Sequence, residues 1–507
     1  MMMENDCDVI IIGAGIAGVS CAYHLIVDLN YKGKVVLLEA RDRIGGRIVG
    51  DTIGGVNIEL GANWIHGIIN NPMYNLAAKH NLIDPLDINN VSNKDEYSRM
   101  GALTSNGDPI PYKVIVSVYK VYFSMLKQCE NFYVAIKKGN VFEDQSNDSV
   151  GLWMKDRIEK YLSTVNENER TLTASIFNNF LARETCISGC HSMDQVSLPY
   201  FGAYEELPGG NVIVPDGYVQ IINCLLEDIR LKLQQKSRNE NFQLIVNQPV
   251  TKIRWPGIGS TSDEFAKVIT SSDTVYRCRH VVTTIPLGVL KACHNQLFDP
   301  PLPQYKIDCI ERMGFGTVDK IFLEFNESLC PKFIDSALTE IIICWLPQDL
   351  ENMSWASKMY SISKIGDRCL MVWLSGEEAQ TIEKMDFSKL KSDLINAVKK
   401  ILKAPDLPDP VNIIPTRWHQ DPFSRGSYSF ISAQSCVGDI EKLAQPIYSN
   451  PAQEKPNLLF AGEACHTSYF STTHGAFLTG RKAALYLVDS DENSIKEVDP
   501  SKKLCNL

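Results

Sequence analysis

Val9–Ile10–Ile11–Ile12–Gly13–Ala14–Gly15–Ile16–Ala17–Gly18 decides how this chain begins to fold. Four β-branched residues in a row read as a strand buried on both faces, and the glycines behind them have G-x-G-x-x-G spacing. Gly13 permits the tight turn, Gly15 lets main chain approach a pyrophosphate, and Gly18 lets the next helix pack on the strand. Ile16–Leu29 continues as a helix with Ile16, Val19, Tyr23 and Ile26 on one side, and Val35–Glu39 is the second strand. Glu39 stands about 20 residues past the turn, where an acid can accept hydrogen bonds from a ribose diol. Strand, turn, helix and acid together predict a Rossmann-like dinucleotide site, with Ala17 and the helix N-terminus facing the phosphates.

At 507 residues the chain has room for two large domains. Apolar residues make up 44% and charged residues 22%, as in ordinary globular proteins. A net charge of −10 argues against a nucleic-acid partner and is compatible with a cationic substrate. The 15 cysteines show no CxxC or Cys/His pattern, so no metal site is expected and most read as small buried hydrophobes in a reducing compartment. The run Val9–Ile12 is too short for a signal peptide and no run of 18 apolar residues exists, so no membrane span is expected. Asn147 and Asn326 begin sequons that carry no weight without a secretory signal. The ending Lys503–Leu504–Cys505–Asn506–Leu507 is not a Ser-Lys-Leu peroxisomal address, and the expected location is the cytoplasm.

Residues 70–200 read as more helical and poor in glycine. Pro208–Gly209–Gly210 and Pro215–Asp216–Gly217 mark a return to strands and turns. A helix from Tyr218 to about Gln235 leads into strands Phe242–Val246 and Val250–Trp255, and Val275–Arg279 and His280–Thr284 are expected to continue that sheet. Val318–Phe325 and Leu370–Leu374 are further strands, Lys389–Leu402 is a helix, and Asn457–Gly462 is a buried strand before a helix from about Gly475 to Leu487. The expected fold class is α/β: a discontinuous dinucleotide-binding domain (1–80, 207–300, 418–490), an interleaved α+β substrate domain (81–206, 301–417) and a tail (491–507).

Arg41–Asp42–Arg43–Ile44–Gly45–Gly46–Arg47 follows the second strand, and Gly46 with Arg41 and Arg47 offers main chain and guanidinium to the same pyrophosphate. With Glu59–Leu60–Gly61–Ala62–Asn63–Trp64–Ile65–His66–Gly67, this opening resembles the polyamine oxidases of the flavin monoamine oxidase family. The resemblance continues through Val250–Thr251–Lys252, Pro286–Leu287–Gly288–Val289–Leu290, Gly316 to Phe325 and Gly462 to Arg481, and so covers nearly the whole chain. It implies FAD gripped at its adenine end by the first residues and at its flavin end by the last. Gly61, Ala62, Asn63, Trp64, Val250, Glu463, Thr472 and Thr473 would then join the glycine turn as cofactor contacts.

Catalytic roles fall, on the same resemblance, to Lys320, which would hold a water at flavin N5, and to His66, which would orient the substrate amine. A lysine in an otherwise apolar strand is costly to bury unless it is paired or its pKa is depressed, which favours a functional role. His474 is expected to cap or pack the last helix, and His466 to be structural. Ser427 stands where monoamine oxidases carry the cysteine that binds flavin covalently, so the FAD is expected to be non-covalent. Tyr428 would form one wall of an amine cage, with Ser471 and Thr472 offering hydroxyls in place of the second aromatic wall. Glu205 and Glu206 are candidates for the far end of a polyamine. The expected activity is oxidation of a secondary amine of spermine or an N1-acetylated polyamine to a shorter amine, an aldehyde and hydrogen peroxide, with dioxygen as acceptor, by a monomer or weak dimer. The alternatives are an L-amino-acid or other amine oxidase, a histone-lysine demethylase of the same fold, and a non-catalytic flavin-binding protein.

Overall fold

A computed structural model describes residues 4–84, 100–139, 148–260, 265–350, 354–450 and 452–488. The Asn147 sequon and the tail 491–507 lie outside the described residues.

The strand Val9–Ile12 is the centre of a five-stranded parallel sheet in the order Leu458–Phe460, His280–Thr283, Val9–Ile12, Val35–Leu38, Phe242–Ile245. Both faces are buried. Val9, Ile11, Val35 and Leu37 point into a core shared with helices Ile16–Tyr23, Val219–Gln235 and Thr473–Val488. Ile10, Ile12, Val36 and Leu38 point the other way, into a core closed by a second five-stranded sheet. That sheet runs Glu4–Asp6, Val275–Cys278, Ala266–Thr270, Val250–Arg254, Phe298–Asp299. Double-sided burial is why these strands read as unbroken apolar runs rather than alternating ones.

The expected single sheet through Val250–Trp255, Val275–Arg279 and His280–Thr284 is therefore two sheets. Val275–Cys278 belongs to the second and His280–Thr283 to the first, with only Arg279 between them. Likewise Phe242–Ile245 and Val250–Arg254 lie in different sheets. The N-terminus makes the same crossing beside it: Glu4–Asp6 pairs with Val275–Cys278, and Asp8 O accepts both the Arg279 and His280 N–H at 3.1 Å. The parallel strand begins at Val9 because Cys7 and Asp8 are spent on changing sheets. The first helix also ends differently from expectation: Ile16–Tyr23 is α-helical and His24–Asp28 continues as a π turn.

A six-stranded mixed sheet carries the remainder, in the order Asn412–Pro415, Val318–Glu324, Cys369–Ser375, Ser361–Lys364, Glu340–Cys344, Met100–Thr104. Helices Gly376–Lys384 and Phe387–Ile401 cover one face of it. Helices Tyr112–Lys137, Val150–Leu162 and Glu167–Ser188 form a further apolar cluster, and Asn179 ties the last of them to the sheet through the Ile343 and Tyr360 carbonyls at 2.7 Å each. Among the described residues no helix is long and apolar enough to cross a membrane.

Candidate functional site

A continuous cavity of about 1610 Å³ runs from the glycine turn, past the six-stranded sheet, to the helices Tyr112–Lys137 and Glu167–Ser188. Single small-molecule pockets hold roughly 300–1,000 Å³, so this one has room for a dinucleotide and a second molecule. Of the site residues read from sequence, all but Gly18 and Glu205 line it.

Gly18 acts from behind the wall. A Cβ there would sit 1.9 Å from the Gly13 carbonyl oxygen, so only glycine lets the helix meet the strand. Gly13 has φ +104°, and the Gly45–Gly46 loop lies against Gly15 in a β-bridge, with Gly45 N–H donating to Ala14 O at 2.9 Å. Gly15 caps the first helix without a side-chain hydrogen bond, leaving its first N–H groups directed at the cavity where Gly15, Ile16 and Ala17 line it. Glu39 is buried and accepts the Ala14 N–H at 2.8 Å and the Arg41 N–H at 2.9 Å. Each of its oxygens keeps acceptor capacity for a diol. Backbone donors at a helix N-terminus, a glycine cradle and a buried acid with acceptor capacity left over fit the pyrophosphate and ribose of FAD.

The charged residues nearby turn out to be largely satisfied by protein. Arg41 donates to Asp421 at 2.6 Å and Ser424 at 2.9 Å, and lies over Phe423. Arg47 donates to Ser427 O at 2.6 Å and to Glu463 at 3.0 Å. The other oxygen of Glu463 accepts from the Ser429 hydroxyl at 2.6 Å, the Ser429 N–H at 3.2 Å and the Ser471 N–H at 3.1 Å. Glu463 therefore clamps three chain segments around the cavity, a role its sequence neighbours do not announce.

Ser427, expected at the covalent-attachment position, exchanges two bonds with one residue: its hydroxyl donates to Val318 O at 2.9 Å and accepts the Val318 N–H at 2.8 Å. The hydroxyls expected in place of a second aromatic wall also donate inward. Ser471 gives its proton to Ser429 O, while Thr472 gives its proton to Tyr469 O at 2.7 Å and accepts the Gly475 N–H at 2.9 Å. Thr472, and not His474, thus supplies the cap of the last helix. Thr473 hydrogen-bonds the buried Tyr218 hydroxyl. His474 packs against Tyr469 with neither ring nitrogen hydrogen-bonded, and burial pushes its pKa down to about 3. His466 accepts the Ser468 and Tyr469 N–H groups.

Lys320 is buried on its strand, and its ammonium donates to the carbonyls of Glu59 at 2.6 Å and Gly61 at 2.7 Å while lying 4.6 Å from the Trp373 ring centre. Burial pushes its pKa down to about 7. Trp373, its cross-strand partner, stacks on Trp64 at 5.9 Å. His66 opens its ring onto the cavity; burial lowers its pKa, and a hydrogen bond from its ring to Asn211 partly offsets that. Ala62, Asn63 and Tyr428 also line the cavity, with the Tyr428 hydroxyl bonded to Cys186 O, whereas Val250 lines it near Glu39, whose carbonyl accepts the Gln248 N–H at 2.8 Å.

Three further carboxyls belong to the lining of the cavity, beside Lys127 and Arg183. Glu206 lines it, but Glu205 points away and pairs with Lys137 at 3.3 Å, because consecutive residues in this extended segment face opposite sides. Glu130 and Glu184, which sequence reading missed, take the place of Glu205. Both sit on helices whose polar faces look like ordinary solvated surface. Burial lifts Glu184 to about 7, with the charges of Glu130 and Glu206 raising it and Arg183 lowering it.

Residues 16–488 match the family model of flavin-containing amine oxidoreductases. The chain is 30% identical over 503 residues to the peroxisomal N(1)-acetyl-spermine/spermidine oxidase of Bos taurus, covering 94% of this chain and 93% of that protein. It is 24% identical to the probable polyamine oxidase 5 of Arabidopsis thaliana, covering 95% and 98%. Its fold is similar to that of a putrescine oxidase variant, with a TM-score of 0.65 at 16% identity over 96% of this chain and 100% of the other.

Proposed function

The chain belongs to the flavin-containing amine oxidoreductases and is an FAD-dependent amine oxidase, and from that premise we propose that it oxidises a secondary amine of a polyamine, spermine or an N1-acetylated spermine or spermidine. The products are a shorter amine, an aldehyde and hydrogen peroxide. One observation carries this reading: a single cavity is lined both by Lys320 and His66 and by Glu206 with Glu130 and Glu184, the last two on helices Tyr112–Lys137 and Glu167–Ser188. A linear polycation needs such a layout, with one nitrogen at the reacting centre and another held by carboxylates.

When bound, FAD would supply the redox chemistry, taking up a hydride equivalent from the carbon beside the amine, so that the amine becomes an iminium, and passing the two electrons to dioxygen. The protein's part is alignment and proton control. Gly13, Gly15, Glu39, Gly46 and Arg47 would hold the dinucleotide, and Ser427, whose hydroxyl is bonded both ways to Val318, supports a non-covalent cofactor. His66, kept neutral by its surroundings, can hydrogen-bond an uncharged amine. Tyr428 offers a ring face to it. Two of the three N–H groups of Lys320 go to carbonyls, so the third can hold a water in the cavity. Water then hydrolyses the iminium.

Glu184 suits the far end because a carboxyl near 7 in the empty cavity ionises when an ammonium arrives beside it. Peroxide production by the purified yellow protein, compared across spermine, spermidine and their N1-acetyl forms, tests the proposal. At least one of them should turn over, and acid precipitation should leave the flavin in solution. Turnover of L-amino acids with none of the polyamines would replace this reading.

A further inference from the structure

Directly behind Lys320 on the same strand is Asp319, fully buried and facing the opposite side of the sheet. Its Oδ1 accepts the Thr416 hydroxyl at 2.6 Å and the Trp418 N–H at 3.2 Å. Its Oδ2 is buried with no N–H or O–H donor in reach. The group within hydrogen-bonding reach of Asp319 is instead the carboxyl of Glu383, in the last turn of helix Gly376–Lys384. Glu383 already receives a backbone N–H on each oxygen, from His419 and Gln420, both at 2.8 Å, whereas Asp319 Oδ2 receives none. Two buried carboxyls can stand together only if a proton lies between them. Burial and the charge of Glu383 both raise the affinity of Asp319 for that proton.

The segment Thr416–Gln420 that this pair holds is what fixes Lys320. Thr416 accepts the Lys320 N–H through its hydroxyl and donates its own N–H to Lys320 O, both at 2.9 Å. The indole N–H of Trp418 donates to Leu60 O at 3.2 Å, and its ring bounds Gly61, where a Cβ would come within 3.4 Å. The carbonyls on either side, Glu59 and Gly61, are the acceptors of the Lys320 ammonium. We propose that Asp319 and Glu383, sharing one proton, are positioning residues that set the lysine ammonium through Thr416 at its backbone and Trp418 at its acceptors.

The inference rests on Lys320 serving the oxidation, and the test separates the two. In the holoenzyme, infrared spectra should contain the C=O stretch of a protonated carboxyl that disappears in Asp319→Asn. That variant keeps one donor and one acceptor and should reduce its flavin within about threefold of the parent rate. Asp319→Ala should slow reduction at least about tenfold at unchanged FAD content, and should add nothing further in a Lys320→Met background. Thr416→Val follows the same non-additive pattern if the alanine variant fails to fold. Losses that multiply independently of Lys320, or a carboxyl band that survives Asp319→Asn, overturn the proposal. A Lys320→Met enzyme with parental rates instead sinks the role given to the lysine, while the infrared band still reports on the pair.

Discussion

Lys320 combines two properties that a surface lysine lacks: its ammonium is held by fixed carbonyls, and burial brings its pKa to about 7 from the ordinary 10.5. Between those values the unfolded chain binds a proton that the folded one releases, so this residue makes stability rise with pH across that window. Lys320→Met should remove that slope. Thermal denaturation at several pH values from about 7 to 10 should show the variant's stability relative to the parent declining steadily. A constant difference would mean that the lysine stays charged in the fold. The same variant should slow flavin reduction or reoxidation at least about tenfold, equivalent to roughly 1.4 kcal/mol, with FAD content retained. Lys320 could be read from sequence because an ammonium in an apolar strand demands a reason. Trp373 could not, since one more aromatic residue in the run Leu370–Leu374 looks like core. The directions of the Ser471 and Thr472 hydroxyls were equally hidden: both residues line the cavity, yet Ser471 donates to Ser429 O on a distant strand and Thr472 to Tyr469 O in its own turn.

At the scale of elements, the packing of the first helix against the last decides whether the two halves of the cofactor site meet. Gly480 of Thr473–Val488 lies against Ile16–Tyr23 so closely that a Cβ would come within 2.1 Å of Ala17 O. Backbone on both sides leaves no flexible side chain to yield. Gly480→Ala should therefore separate the helices, lowering stability by about 1–3 kcal/mol, the usual range for overpacking, and reducing the FAD bound per chain. Gly438→Ala is the matched control: it lies within helix Val437–Ala444 and its Cβ would meet only Cys436 Sγ, at an ordinary 3.5 Å. It should leave stability unchanged or raised. Equal effects of the two would contradict the close approach. Local elements were legible in the sequence because glycine spacing and apolar runs are local signals. The assignment of strands to sheets was not, because a crossing of one residue, Arg279, leaves no break in the pattern.

For the molecule as a whole, the net charge of −10, with Glu130, Glu184 and Glu206 lining the cavity, would act on the polycation proposed as substrate before any contact forms. Lys127 and Lys137 pair with Glu130 and Glu205, at 2.6 and 3.3 Å, while Glu184 and Glu206 are further acidic residues that line the cavity. Screening shortens from about 30 Å at 0.01 M salt to about 10 Å at 0.1 M, so the long-range part of this attraction should fade over that range. We expect kcat/KM for a polyamine to fall at least about threefold across it, with kcat little changed, because steering acts on encounter rather than on the chemical step. Glu206→Gln should raise KM and flatten the salt dependence, whereas Glu205→Gln, on the outward side, should change neither to a comparable extent. A salt-independent kcat/KM, or equal effects of the two substitutions, would mean that the acidic lining does not select the substrate. The two residues are neighbours in sequence, so their unequal response would report on the fold's orientation of a single peptide unit.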